Sequence, residues 1–172
     1  DSLVQHLADH HNAEALGVLC DVADAAAVER ALALTVERFG GIDVLVNNAG
    51  ITHRSSFADT ELAVFQRIMA VNYFGALHCT KAALPSLIAR GGQIIVLSSL
   101  SGFAPLLYRS AYNSSKHALH GLFETLRYEL KGSGVNVMLV CPGFTATDLR
   151  KNALVGDGSV AAQPPLAMGS VA

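Results

Sequence analysis

Four short apolar runs, each ending in a cluster of small or polar residues, set the strongest constraint on what this chain can fold into. Residues 16–20 end at Asp21, 42–46 run into Asn47-Asn48-Ala49-Gly50, 94–97 into Ser98-Ser99, and 135–140 into Cys141-Pro142-Gly143. Runs of that length suit strands buried in a parallel sheet. The stretches between them are helical in pattern, so each strand is followed by a covering helix, with right-handed crossovers. The expected class is α/β, a doubly wound parallel sheet. In such sheets ligands bind beyond the carboxyl ends of the strands, and the small and polar residues collect there.

Spacing and caps place the helices. Residues 24–38 are Ala-rich, with Asp24 positioned to cap the start and Gly40-Gly41 to stop the end. Between 61 and 84, Leu62, Phe65, Met69, Asn72, Tyr73, Ala76, Leu77 and Thr80 recur every three or four residues, and Pro85 limits that helix or opens a short continuation. Over 112–131, Leu119, Leu122, Phe123, Leu126 and Leu130 form one apolar face. Residues 144–172 are rich in Gly, Pro and Ala and weakly periodic, yet Leu149, Leu154, Val155, Leu166 and Met168 make them more apolar than a solvated linker. The whole of 1–172 reads as a single domain.

Composition removes several classes of function. The chain is 51% hydrophobic and 15% charged, with a net charge of -2 and no Lys/Arg stripe, so nucleic acid and anionic membranes find no electrostatic footprint. No apolar run reaches the ~18 residues of a membrane span, and the first residues lack the pattern of a signal peptide. A cytoplasmic, soluble protein is expected. Cys20, Cys79 and Cys141 are widely spaced and read as buried free thiols. His6 and His10 are four apart, with His11 adjacent, which suits two ligands on a helix face, but no third ligand at metal spacing accompanies them, so no metal is expected. His117 and His120 read as partly exposed helix residues, and His53 is a weak candidate for approaching a ligand.

Tyr112 and Lys116 stand one helical turn apart, on the same face. A phenol with pKa ~10 transfers protons poorly at neutral pH, and a nearby cation moves it toward the useful range. Each residue alone has a plain alternative. Lys116 alone would be a solvated helical lysine, Ser99 a strand-end cap, Asn47-Asn48-Ala49-Gly50 a turn, Asp21 a helix cap, and Gly143 a loop glycine. Asn72 is a poor helix former within a helical pattern, which points to burial with a partner.

Together, Asn47-Asn48-Ala49-Gly50, Asn72, Ser99, Tyr112, Lys116 and Pro142-Gly143 resemble the short-chain dehydrogenase/reductases, with Ser99 thirteen residues before Tyr112. The resemblance covers about residues 16–147. It implies an oxidoreductase transferring a hydride between NAD or NADP and an alcohol or carbonyl compound. Tyr112 would be the general acid/base, Ser99 would hold the substrate oxygen, and Lys116 would bond the nicotinamide ribose and depress the Tyr112 pKa. Asn72 would support a water relay behind Lys116. Asp21 would face the adenine, and Asn48, Ala49 and Gly50 would lie along the adenosine ribose. Pro142 and Gly143 would fit against the nicotinamide, with Thr145, or more weakly Thr147, on its carboxamide. The resemblance also implies a homodimer or homotetramer.

The segment 144–172 would lie on the substrate side. With Leu100, Ser101 and residues 103–108 it is mostly apolar, so a hydrophobic ketone or secondary alcohol, lipid-like or steroid-like, is expected. The sequence contains no glycine-rich phosphate-binding turn of the resembled kind. It is therefore expected to be a part of a longer enzyme, incomplete at both ends, in which 16–20 lacks its neighbouring strand and one edge of 42–46 is bare. The rival expectation is a non-catalytic interaction protein or disabled fragment on the same fold. An epimerase or dehydratase using the same Tyr-Lys pair is a weaker alternative.

Overall fold

The computed structural model describes residues 2–11, 13–143, 145 and 148–160. Among these, three strands pair in parallel in the order β1 (Val44–Asn47), β2 (Gln93–Leu97), β3 (Asn136–Val140). The register aligns Leu45 with Ile94 and Val137 on one face, and Asn47 with Val96 and Leu139 two residues on. Strand side chains alternate between faces, so these residues share the packed side. Val44, Val46 and Met138 occupy the opposite side and are about half exposed.

The helices are α1 (Ser2–His11), α2 (Ala25–Phe39), α3 (Leu62–Met69), α4 (Gly75–Arg90) and α5 (Ser110–Glu129). Helix α2 begins and ends as its sequence predicts. Asp24 accepts from the amides of Ala26 and Ala27, and Gly40 takes a left-handed conformation at φ 77° while its amide bonds Val36 O. Ala76, Ala83 and Leu87 of α4 and Leu119 and Phe123 of α5 pack with Leu45, Ile94, Val96 and Val137 into the main core. The result is the expected parallel sheet flanked by helices. A second apolar cluster joins Val64, Ile68, Ala111 and Leu154 beside the strand ends.

One expectation is revised and one alternative is resolved. Residues 16–20 form no strand, and Leu19 is fully exposed. An extended run becomes a strand only where another backbone accepts its ladder, and no described strand lies beside it. Of the two outcomes left open at Pro85 over the helical stretch 61–84, the structure has the continuation rather than the stop. Helix α4 passes through Pro85 to Arg90, with Pro85 on the exposed side, where water can serve the carbonyl it leaves unbonded. A π-helical turn, Ala70–Phe74, joins α3 to α4. The strands and α5 otherwise match their predicted positions to within two residues.

Candidate functional site

The chain segments leaving β1, β2 and β3 open together into a cleft of about 610 Å³. Asn48, Gly50, Ile51 and Thr52 line it after β1, Ser98, Ser99 and Ser101 after β2, and Pro142, Gly143 and Thr145 after β3. Helix α5 contributes Tyr112 and Lys116, and the later chain adds Asp148, Leu149, Arg150 and Asn152. Parallel strands all point their carboxyl ends the same way, so residues remote in sequence meet here.

Lys116 and Tyr112 are both buried. The Lys116 ammonium donates to Leu97 O at 2.7 Å and lies 5.6 Å from the centre of the Tyr112 ring. Burial lowers its pKa to about 8, with Cys141 acting weakly the other way. For Tyr112 the expected depression by Lys116 is not what the structure has. Burial raises the phenol above its ordinary value; a hydrogen bond with Ser99 and the charge of Arg109 oppose the rise without cancelling it. Desolvation wins because a phenolate in this cleft loses more hydration than those two partners return. The cation acting on the phenol is Arg109 rather than Lys116.

Asn72 stands in the π turn and is fully buried. Its Oδ1 accepts from Ile51 N at 2.8 Å, while Nδ2 donates to Ile51 O at 3.0 Å and to Ser115 Oγ at 2.9 Å. Ser115 in turn donates to Tyr112 O at 2.8 Å. Asn72 therefore fixes the loop after β1 against the first turns of α5. The extra residue of a π turn changes which side chains face inward, and such turns are frequent at functional sites.

The remaining predicted residues divide. Asn48, Gly50, Pro142, Gly143 and Thr145 line the cleft with Ser99, Tyr112 and Lys116. Ala49 instead faces a small adjoining cavity of about 60 Å³ with Asn48, Val22 and Cys79. Asp21 lines neither; it is exposed and its carboxylate accepts from Ala23 N at 2.9 Å, a turn-forming role. Thr145 is exposed and bonds Gly143 O at 3.4 Å. Thr147, Leu166 and Met168 lie outside the described residues.

His53 is fully buried beside Phe65, does not line the cleft, and is held below its usual pKa by burial and then by Arg109. His6, His10 and His11 are exposed on α1. Among the described residues no group of three or more His, Cys, Asp or Glu could hold a metal, and no helix is long and apolar enough to cross a membrane.

Three site-bordering groups escaped the sequence. Arg109, directly before α5, is buried and lines the cleft. Its only sequence signal is its position three residues before Tyr112. His120, read as partly exposed, is buried: Nε2 meets Ser98 Oγ at 2.9 Å and Nδ1 meets Glu124 at 3.3 Å. The four-residue step from His120 to Glu124 was its signal. Thr52, also buried, accepts a hydrogen bond from Arg109.

A family model described as short chain dehydrogenase matches residues 1–156. The chain is 43% identical over 143 residues to a rat protein named dehydrogenase/reductase SDR family member 7B, covering 83% of this chain and 44% of that one. It is 39% identical to a Drosophila melanogaster protein named dehydrogenase/reductase SDR family protein 7-like, covering 81% of this chain and 43% of the relative. Thus it spans less than half the length of these relatives. Among solved structures, a gluconate 5-dehydrogenase from Burkholderia cenocepacia in complex with NADP and tartrate superposes with a TM-score of 0.82 at 29% identity, over 87% of this chain and 59% of that one. An alcohol dehydrogenase from Thermococcus sibiricus, complexed with 5-hydroxy-NADP, gives 0.81 at 26% identity over 94% and 66%.

Proposed function

The chain belongs to the short-chain dehydrogenase family, and from that premise we propose that its cleft serves hydride transfer between NAD or NADP and an alcohol or carbonyl compound. The observation that carries this reading is the meeting of Ser99, Tyr112 and Lys116 around one cleft with Asn48, Gly50, Pro142, Gly143 and Thr145. Two solved relatives hold NADP-type nucleotides in their own structures, which supports a nicotinamide dinucleotide here.

The residues fit the nicotinamide end of such a cofactor. Lys116 is a buried ammonium with one bond, to Leu97 O, among the described residues, leaving donors for ribose hydroxyls. Gly50 keeps the wall low beside it, since a Cβ there would stand 3.4 Å from Asn72 Oδ1 and 3.9 Å from Lys116 Nζ. Pro142, Gly143 and Thr145 would border the nicotinamide, and Asn48 would lie farther along, at the adenosine ribose. The cofactor, when bound, supplies the hydride.

The chain's own residues handle the proton. Tyr112, kept protonated by burial, gives its phenolic hydrogen to the carbonyl oxygen as negative charge develops there. Ser99 donates to the same oxygen and then to the phenolate left behind. Arg109 stabilises that phenolate through its charge. Oxidation runs the same proton movements in reverse. Leu106 and Leu149 in the lining support a substrate with an apolar body.

Exposed Ile88 and Tyr128 on the long helices, with Phe74 at the end of the π turn, support a homodimer or homotetramer, which light scattering measures. A cytoplasmic location remains part of the proposal, checked by fractionation. The central test is Tyr112→Phe in the intact protein, assayed for NADH and NADPH oxidation against a chain-length series of ketones. Loss of general acid catalysis predicts a fall of about 10²- to 10⁴-fold in kcat. Undiminished turnover would defeat the reading.

A further inference from the structure

Among the described residues Arg109 is a charge without a counter-ion, and it lines the cleft together with Ser99 and Tyr112. It is 9% exposed. Its Nη1 donates to Thr52 Oγ1 at 2.7 Å and meets His53 O at 3.5 Å, and both partners are neutral. Nε and Nη2 make no hydrogen bond among the described residues, so most of the five guanidinium donors stay available. Arg54 and Arg150 add like charge around it. Asp148 also lines the cleft, but its carboxylate is paired with Lys151 at 2.6 Å and both side chains are exposed.

The backbone commits Arg109 to this place. Tyr108, immediately before it, adopts φ 62°, a left-handed conformation uncommon for a residue with a side chain. Its carbonyl is held by Ser55 N at 3.1 Å. A buried cation costs free energy unless paired, and this one borders the space where a substrate must enter. A planar fork of N–H groups matches a carboxylate in two parallel bonds.

We propose that Arg109 anchors a carboxylate carried by the carbonyl substrate, so that the cleft selects keto acids over their neutral counterparts. This rests on the hydride-transfer reading and names the substrate class for it. The apolar lining at Leu106 and Leu149 then receives the body of the molecule, and Ser99 and Tyr112 receive the carbonyl.

The test uses the intact protein and three matched pairs: pyruvate, acetoacetate and levulinate, each against its methyl ester. The pairs vary the distance from carboxylate to carbonyl. For at least one pair, wild-type kcat/KM favours the acid on the order of 10-fold or more, and Arg109→Gln lowers that ratio on the order of 10- to 100-fold. Arg109→Lys, which keeps charge without the fork, recovers part of it. The ratio cancels any general loss from altered proton transfer at Tyr112. No acid preference in the wild type overturns the proposal, even if Arg109→Gln fails to fold. So does a folded Arg109→Gln with an unchanged ratio, which would make Arg109 only a tether for Thr52 and His53. If the wild type reduces none of the six compounds, the ketone chain-length series decides the redox reading, and calorimetry decides the anchor separately. Binding of an acid but not its ester, lost in Arg109→Gln, upholds the anchor; equal binding or none overturns it.

Discussion

Asn72 Nδ2 donates to Ser115 Oγ at 2.9 Å, joining the π turn between α3 and α4 to the helix that carries Tyr112 and Lys116. The same amide clamps both polar groups of the Ile51 backbone. Three elements therefore owe their relative placement to one fully buried side chain. Asn72→Ala leaves Ile51 N, Ile51 O and Ser115 Oγ without this partner. Unsatisfied groups of this kind cost ~1–3 kcal/mol each, softened where water enters, so a loss of about 2–4 kcal/mol is expected. Urea denaturation of the intact protein measures it. A change below about 0.5 kcal/mol would mean the bonds are dispensable.

Lys116 makes stability depend on pH in a stated direction. Its pKa is lowered from 10.5 to about 8 in the fold, so between those values the unfolded chain binds more protons. Stability then rises with pH across that window. The depression corresponds to about 3 kcal/mol of penalty carried below it. In Lys116→Met the rise attributable to this group is absent. Urea midpoints at several pH values across the window, wild type against variant, test this; parallel curves would contradict it.

The elements were legible where the signal is local. Asp24 and Gly40 bracket α2 because caps act within one turn of the chain. The three paired strands followed from their short apolar runs, and the Ser99, Tyr112 and Lys116 cluster from the resemblance that those residues and their spacing carry. Features requiring a distant partner were not legible. Residues 16–20 have strand composition but no strand beside them. Arg109 looks like an ordinary cation before a helix, and only packing against Thr52 and His53 buries it. His120 sits next to Leu119 on α5, and its burial depends on Ser98 from β2's end and Phe103 from the following loop. The sign of the Tyr112 shift also needed the fold, because it is a contest between desolvation and partners.

Ser99 carries a two-part prediction. Its hydrogen bond draws the Tyr112 pKa down against burial. Ser99→Ala removes that opposition, so the phenol titrates higher still. The apparent pKa from phenolate absorbance, with Tyr112→Phe as the blank, must move up. Turnover must fall on the order of 10²-fold, because a donor to the developing oxyanion is lost. A downward pKa movement would show that Ser99 does not stabilise the phenolate.

Gly102 leaves the space that His120 needs. A Cβ there would stand 2.5 Å from His120 Nε2, 2.6 Å from His120 Cδ2 and 3.0 Å from Ser98 Oγ. The imidazole cannot move freely, because Glu124 meets its other nitrogen at 3.3 Å and the Phe103 ring centre lies 4.3 Å from its own. Gly102→Ala must therefore push the ring from Ser98 and strain the segment that carries Ser99. Overpacking of this kind costs ~1–3 kcal/mol, and kcat is expected to fall with it. Replacing His120 by Ala in the same background removes the clash. The double variant should then be more stable than the sum of the two single losses, with a coupling of ~0.5–3 kcal/mol. Strict additivity in urea denaturation would show that the added methyl group acts on some other neighbour.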